Sequence, residues 1–511
     1  MKILFIYSLE NYFSLKRPLS SFLGISFGVS FLASACKKAG YDVEIKVATP
    51  NQVSISNIIE YIKKESPRII AVSAVTSQYP LIKSIASIAK EIDPSISIIL
   101  GGHHATLNPE ITIEERVFDA ICIGEGDEAI VSFIDSVLRG ENTKQINNLW
   151  IRNKITGVVH KSPQSVFIQD LDALPFIDRS LWGNLVDNKN SMHSVLIGRG
   201  CPNKCTYCSN HALCKTGTGK YVRLRSPENI VQELSLIVEH YPKVSSIHLE
   251  VETLCVNLPY VFSLCQALEL FNSSLPRPLG FTTNIAIIKH IIANNELLSA
   301  FKAANFEFLN VGLESGSLRI RSEVLKRPKY TNDDIIAFGR LVKKYGMQLN
   351  LFALIGIPGE TLNDYRETIE CIRQCDPAHV FLSIFYPYPG TELYDFAKQQ
   401  GLFNGTIVNP EMERTRATLD LPGFSKRQIN HEYLIFAYRV YKGKKSFRVI
   451  AAIILRTYLS MHPILNKFYR LVIRHPVLLA LKKRVASIMF HLNSAPFCLP
   501  SGVHFRSQNN E

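Results

Sequence analysis

No stretch of the chain reaches the roughly 18 consecutive apolar residues that a bilayer-spanning helix needs, and the longest apolar run near the C-terminus is only Val449–Leu455. The N-terminus does not read as a secretory leader either. Lys2 precedes a brief apolar stretch that meets Glu10 without a small-residue cleavage site, the pattern of a first β-strand in a cytoplasmic protein. Low complexity and disorder are absent too: 46% apolar and 20% charged residues, with Gly 27 and Pro 25 in 511 residues, predict two to four ordinary folded domains. Acidic residues are scarce in one place. From Lys426 to Glu511 there are 2 Asp/Glu against 15 Lys/Arg, so the whole net charge of +13 resides in this tail and the main body is balanced. The 11 cysteines of a cytosolic chain read as thiols or metal ligands and not as a disulfide framework.

What is present is a double α/β pattern. Residues 1–140 alternate strand-like runs (Ile3–Tyr7, Asp42–Val47, Arg68–Ser73, Ser97–Leu100, Ala120–Ile123) with amphipathic stretches, predicting a doubly wound, Rossmann-like domain. Its ligand side is the strand C-termini, where Gly24, Ser73, Thr76, Gly101-Gly102-His103 and Gly124-Glu125-Gly126 lie. Residues 141–190 read as a linker containing Leu174-Pro175. A second series begins at 191, with strands Ser194–Ile197, Ser246–Glu250, Gly280–Thr283, Phe308–Val311, Gln348–Leu354 and His379–Ile384. Six β-α units to about 400 predict a partial (β/α)6 TIM-like barrel, followed by a helical, basic region at 401–511.

Cys201, Cys205 and Cys208 follow the first strand of the second series. Three thiolates neither complete a tetrahedral zinc site nor saturate a four-iron cluster. A [4Fe–4S] cluster held by three cysteines keeps one iron open to an external ligand, as electron delivery to a bound molecule requires. The alternatives on spacing alone are zinc completed by Cys214 or His211, or cysteines with no common task.

Cys-x3-Cys-x2-Cys with Tyr207 before the last cysteine resembles the signature of radical S-adenosylmethionine (radical SAM) enzymes. Gly312-Leu-Glu314-Ser315 is similar to a fourth-strand element of that family, the segment from Gly356 to Thr361 to its glycine-rich element near adenine, and Tyr386-Pro-Tyr388-Pro-Gly390-Thr391 to a late-strand motif. The resemblance, over about 190–400, implies that the open iron binds S-adenosylmethionine, with Tyr207, Glu250, Glu252, Glu314, Ser315 and Gly356 as its contacts. Glu250 and Glu252 stand where relatives place acidic residues near the methionine amino group, and carboxylates suit an ammonium partner. Their alternative is an ordinary salt bridge.

Ahead of that barrel, Gly101-Gly102-His103-His104-Ala105-Thr106 and Gly124-Glu125-Gly126-Asp127 resemble the cobalamin-binding domain of B12-dependent radical SAM proteins. The resemblance implies cobalamin contacts at Gly24, Ser73, Thr76, Gly101, Gly102, His103, Gly124, Glu125 and Gly126. No Asp-x-His-x-x-Gly occurs, so no histidine is marked as a lower cobalt ligand; His103 and His104 read as loop polar groups near a phosphate or corrin amide. A domain that has lost its corrinoid is the alternative.

The tail segments Ile450–Leu459, Ile464–Ile473 and Val477–Phe490 mix apolar residues with Arg456, Lys467, Arg470, Arg474 and Lys482-Lys483-Arg484. They suit an anionic membrane surface or a hydrophobic substrate, or are helices packed on the barrel; their apolar content disfavours nucleic acid. The family resemblance thus predicts a cobalamin-dependent methyltransferase acting at an unactivated carbon of a small, hydrophobic molecule, served by an electron donor such as flavodoxin or ferredoxin. Non-methylating cyclisation or rearrangement uses the same cofactors, and a non-catalytic corrinoid or iron–sulfur sensor is the reading of another class. No catalytic acid or base is assigned; Tyr386 and Tyr388 read mainly as packing aromatics.

Overall fold

The computed structural model describes residues 2–9, 25–50, 52–140, 145–186, 191–403, 413–462 and 464–465. These form two compact units: one of residues 1–284, 299–307 and 388–395, the other of 285–298, 308–387 and the chain from 396. Gly24 and the tail from 466, including most of the last two predicted helices, lie outside the described residues.

The first unit opens with β1 (Lys2–Ser8), whose Ile3 to Ile6 are all buried. Successive side chains on a strand point to opposite faces. Ile3 and Phe5 therefore join Val29, Ala33 and Phe133 on one side, and Leu4 and Ile6 join Ile58, Ile62, Ile82 and Ile85 on the other. A strand apolar on both faces needs helices on both. They are supplied by α1 (Phe27–Lys38), α2 (Gln52–Glu65) and α3 (Tyr79–Ile92), by the short α4 (His103–Leu107) and α5 (Pro109–Glu114), and by α6 (Asp127–Arg139). With β2 (Asp42–Ala48), β3 (Ile69–Ser73), β4 (Ser97–Gly101) and β5 (Ala120–Cys122), the parallel strands run in the order β2-β1-β3-β4-β5. The order reverses between β1 and β3, which opens a ligand crevice at their C-terminal ends.

The stretch expected as a linker departs from that reading. β6 (Leu149–Arg152) and β7 (Val159–Lys161) extend the sheet antiparallel from β5. Leu149 and Ile151 enter the core while Trp150 and Arg152 face the other way, and the turn between the strands carries Gly157 at φ +73°. Two inward positions are too few for a strand pattern to stand out in sequence. Farther on, Trp182 is buried, its Nε1–H donating to Ser30 Oγ at 3.0 Å and its ring meeting Tyr7 edge-on.

The second series starts with β8 (Met192–Leu196), β9 (Gly198–Arg199), α7 (Ser209–Leu213), β10 (Arg223–Leu224), α8 (Pro227–His240), β11 (Ser246–Glu250), α9 (Leu258–Ser273) and β12 (Gly280–Ile285). β8, β11 and β12 pair in parallel in that order. Helix α8 begins at Pro227 because Ser226 caps the Asn229 amide and Pro227 occupies its first turn. After α10 (Lys289–Ile292) and α11 (Asn295–Ala303), the second unit continues the repeat with β13 (Phe306–Glu314), α12 (Asn332–Lys344), β14 (Gln348–Ile355), α13 (Leu362–Cys375) and β15 (His379–Ile384), the three strands again parallel. Capping boxes at Thr331/Asp334 and Thr361/Asp364 start its two long helices. The remaining helices among the described residues are α14 (Glu392–Gln399), α15 (Lys426–Tyr441) and α16 (Phe447–Ser460). α15 buries Ile429, Tyr433, Phe436 and Val440, and Arg373 donates to its C-terminal carbonyls of Arg439 and Val440. This part of the basic region is packed on the second unit.

Candidate functional site

The cysteine loop leaves the first unit's parallel strands through the β9–β10 ribbon. Gly200, at φ +88°, lies so close to the Tyr221 carbonyl that a Cβ would sit 2.3 Å from its oxygen, so only glycine fits where the loop begins. Cys208 N–H donates to Cys205 O at 3.1 Å, Cys205 is buried, and Cys201 and Cys208 are half-buried. Burial, with the neighbouring Cys205, Glu252 and Cys201, pushes the Cys208 thiol up to about 12. A desolvated thiol at Cys208 beside Cys201 and Cys205 is a poor site for a free anion and a good one for a cationic cluster, so the donor set fits a [4Fe–4S] group. Among the described residues, no three His, Cys, Asp or Glu side chains converge as the ligands of one metal ion do; cluster cysteines each bind a different iron and need no such convergence. Of the candidate zinc partners, His211 Nε2 meets Glu392 Oε1 at 2.8 Å and Cys214 Sγ contacts the His211 carbonyl.

The acidic pair behaves unequally. Glu250 ends β11 with Oε2 2.9 Å from buried His248 Nε2, and accepts from Asn284 Nδ2 at 3.3 Å. Glu252 stays accessible, yet burial raises its carboxyl and the negative Glu250 adds to the rise, while a hydrogen bond with Asn210 opposes it. Asn210 also accepts from Tyr221 OH at 2.6 Å, so a Tyr221–Asn210–Glu252 chain stands beside Cys208. Tyr207 is half-buried in the same loop. Just after the late-strand motif, Leu393 N–H donates to Thr206 O at 3.0 Å.

The strand-end loops of the first sheet reach this region. α4 packs against α7, Gly124 faces Thr216, and Gly390 lies against Leu107. His103 is accessible while burial lowers its pKa. His104 is buried, stacks on Tyr79 at 3.8 Å and lies 3.5 Å from Thr76 Oγ1; burial lowers it to about 4, and its Nε2 is buried with no hydrogen-bond partner. An orphaned ring nitrogen, a neutral accessible His103 and the half-buried Ser73 at the β1/β3 reversal fit a large polar-edged ligand there. Gly101 and Gly102 belong to the same loop, and a Cβ on Gly102 would strike Ser73 Oγ at 2.7 Å and the Ala74 carbonyl at 2.8 Å. Gly126 caps α6. Glu125, expected among the ligand contacts, has both carboxylate oxygens engaged by protein: Arg199 at 3.2 Å, Arg223 at 2.9 Å and the Ile168 amide at 2.9 Å.

In the second unit, Glu314 ends β13 at φ +60° with Arg327 3.5 Å from its Oε1. Ser315 is buried, its Oγ accepting from the Ser317 amide. Gly356 N–H donates to Glu360 Oε2 at 2.6 Å, the Ile357 amide to the same oxygen at 3.2 Å, and Gly356 lies against Ile429 of α15.

The model of the B12 binding domain matches residues 20–134, and that of the radical SAM superfamily matches residues 195–372. The chain belongs to the cobalamin-dependent radical SAM family. Its cofactors are a [4Fe–4S] cluster, S-adenosylmethionine and cobalamin. A protein of Pyrococcus horikoshii named as an uncharacterised methyltransferase is 28% identical over 76% of this chain and 83% of its own length. The anaerobic magnesium-protoporphyrin IX monomethyl ester cyclase of Rubrivivax gelatinosus is 25% identical over 72% of this chain, which spans 65% of that protein. The radical S-adenosylmethionine methyltransferase TsrM of Kitasatospora setae, solved with cobalamin and a [4Fe–4S] cluster, shares the fold at TM-score 0.62 and 16% identity, over 81% of this chain and 82% of TsrM. For a family member, the sequence left several site residues unmarked: Arg199, Asn210, Thr216, Tyr221 and His248. Arg199, Asn210 and Thr216 act through partners distant in the chain, so no local spacing reports them.

Proposed function

We propose that this cobalamin-dependent radical SAM enzyme transfers a methyl group to an unactivated carbon of a small, hydrophobic, natural-product or lipid-like molecule. The observation that carries this reading is the packing, within one compact unit, of the B12-domain loop α4 on helix α7, which directly follows the cysteines. When bound, the cluster delivers one electron to S-adenosylmethionine to generate a carbon radical, and the corrinoid supplies the methyl group. Cys201, Cys205 and Cys208 hold the cluster as thiolates. Glu252, held by Asn210, and Glu250, held by His248, receive the ammonium of S-adenosylmethionine. Tyr207, Glu314, Ser315 and Gly356 are its further contacts. Ser73, Thr76, Gly101, Gly102, His103, Gly124 and Gly126 line the cobalamin site. The functional domains are 1–140, which the β6–β7 hairpin completes, the segment to 190, the barrel at 191–400 and the basic region at 401–511.

A flavodoxin- or ferredoxin-type donor supplies electrons, and the basic region makes peripheral contact with an anionic membrane. Among the described residues no helix is long and apolar enough to cross a membrane. The similarity to the cyclase favours a second reading, oxidative cyclisation or rearrangement without methyl transfer. The deciding experiment incubates anaerobically reconstituted protein with hydroxocobalamin, a strong reductant and S-adenosylmethionine carrying a deuterated methyl group, beside Cys205→Ala. Deoxyadenosine that vanishes in the variant establishes the radical step, and a deuterated methyl in the product establishes transfer. Product without that label establishes the second reading; no deoxyadenosine from a confirmed cluster, with candidate substrates present, favours a sensor.

A further inference from the structure

Glu125 and Asp127 leave the N-terminal domain's strand-end loop to meet two arginines of the cysteine-bearing ribbon. Arg199 and Arg223 stand directly opposite each other in the antiparallel β9–β10 pair. Like charges in that position destabilise a ribbon, and these guanidiniums are only 17% and 3% exposed. Their counterions come from the other domain. Asp127 grips Arg199 with both oxygens, each at 2.9 Å, and Glu125 bridges Arg199 at 3.2 Å and Arg223 at 2.9 Å. Two positive and two negative groups thus neutralise one another out of water, where removing any one leaves a buried charge uncompensated.

Both arginines lead straight into the site. Arg199 is followed by Gly200, which touches Tyr221, and then by Cys201. Arg223 Nε donates to the Tyr221 carbonyl at 3.0 Å, and Tyr221 OH fixes Asn210, the partner of Glu252. On the opposite side the carboxylates alternate with Gly124 and Gly126, in the loop beside the proposed corrinoid site. A ligand that settles Gly124–Asp127 therefore settles the ribbon, the cysteine loop and Glu252 through rigid, buried contacts.

We infer that the Glu125–Arg199–Arg223–Asp127 cluster is the positioning element that couples cobalamin binding to S-adenosylmethionine binding. It rests on the proposed placement of both cofactors and adds that neither binds independently. The cluster touches neither reacting group; it holds the loops that do.

The test uses the full chain with its iron–sulfur cluster reconstituted. S-adenosylmethionine affinity, read from the electron paramagnetic resonance change of the reduced cluster, is measured with and without hydroxocobalamin, and hydroxocobalamin affinity by absorbance with and without S-adenosylmethionine. Coupling is reciprocal, so wild type should show the same ratio in both directions, about 10-fold for an ordinary coupling free energy. Asp127→Asn should bring both ratios to within about 2-fold of unity while each ligand still binds alone. Since that variant strands Arg199 and can impair folding, the double variant Asp127→Asn with Arg199→Met deletes the pair together, and it should be uncoupled too. A wild-type ratio of one, or variants that keep the wild-type ratio, overturns the inference while leaving the proposed function intact. Failure of wild type to bind either ligand overturns both.

Discussion

Replacing Glu360 by Gln removes a titration that the fold has displaced far from its usual range. Glu360 is 1% exposed; Oε2 accepts the Gly356 and Ile357 amides, and Oε1 is buried with no hydrogen-bond partner. Burial pushes its pKa from the ordinary 4.5 up to about 8 against the opposing pull of those two amides. A carboxyl raised in the native state holds its proton longer there than in the unfolded chain. Its contribution is therefore fully present below about 4.5 and is lost progressively as pH rises to about 8. At about 1.4 kcal/mol per pKa unit, the loss across that window is on the order of 4–5 kcal/mol. A protonated carboxyl and an amide are near-isosteres, so E360Q should match wild type near pH 5 and exceed it near pH 8. E360A removes the acceptor of two buried amides and should cost about 2–4 kcal/mol near pH 5, a deficit that shrinks as pH rises because the variant has no Glu360 titration to lose. The assay is hydrogen exchange of the Gly356 and Ile357 amides, corrected for intrinsic rates, from pH 5 to 9. Protection should fall with pH in wild type and stay level in E360Q. Identical pH responses in the two proteins would refute the argument.

Gly200→Ala combines a left-handed backbone, about 1–2 kcal/mol for a non-glycine residue, with a Cβ 2.3 Å from the Tyr221 oxygen; iron content after reconstitution should drop severalfold, and an unchanged value would contradict the tight loop origin. Trp182→Ala should cost about 3–5 kcal/mol and expose the segment after β7 to limited proteolysis, because the ring is buried and hydrogen-bonded to Ser30. His104, lowered to about 4 by burial, stays neutral in the folded state while the unfolded chain protonates below about 6.5. Stability should therefore decline as pH falls from about 6.5 to about 4, and His104→Phe should flatten that part of a thermal-melt pH profile. Flotation with anionic vesicles at low salt should carry the full chain upward and lose it at high salt; no binding at low salt would remove the membrane role of the basic region.

The sequence by itself marked the strands of both α/β series and the clustered cysteines of one loop. Parallel strands buried on two faces must be written as unbroken apolar runs such as Ile3–Ile6, and cluster ligands within one loop must be written as a fixed spacing, Cys201, Cys205, Cys208. Both are local constraints, so both are legible along the chain. Tertiary structure decided what spacing cannot carry. It turned part of the apparent linker into the β6–β7 edge of the first sheet, because Leu149 and Ile151 gain a core only once β5 lies beside them. It gave Glu250 a histidine partner and Glu252 an amide partner, distinguishing two carboxylates that look alike in sequence. It engaged the carboxylate of Glu125 with Arg199 and Arg223, partners that its place in a glycine-rich loop does not announce. The physical reason is common to all three: a buried charge or a short edge strand is satisfied by whatever the fold brings beside it, and which neighbour that is cannot be read from residue types alone.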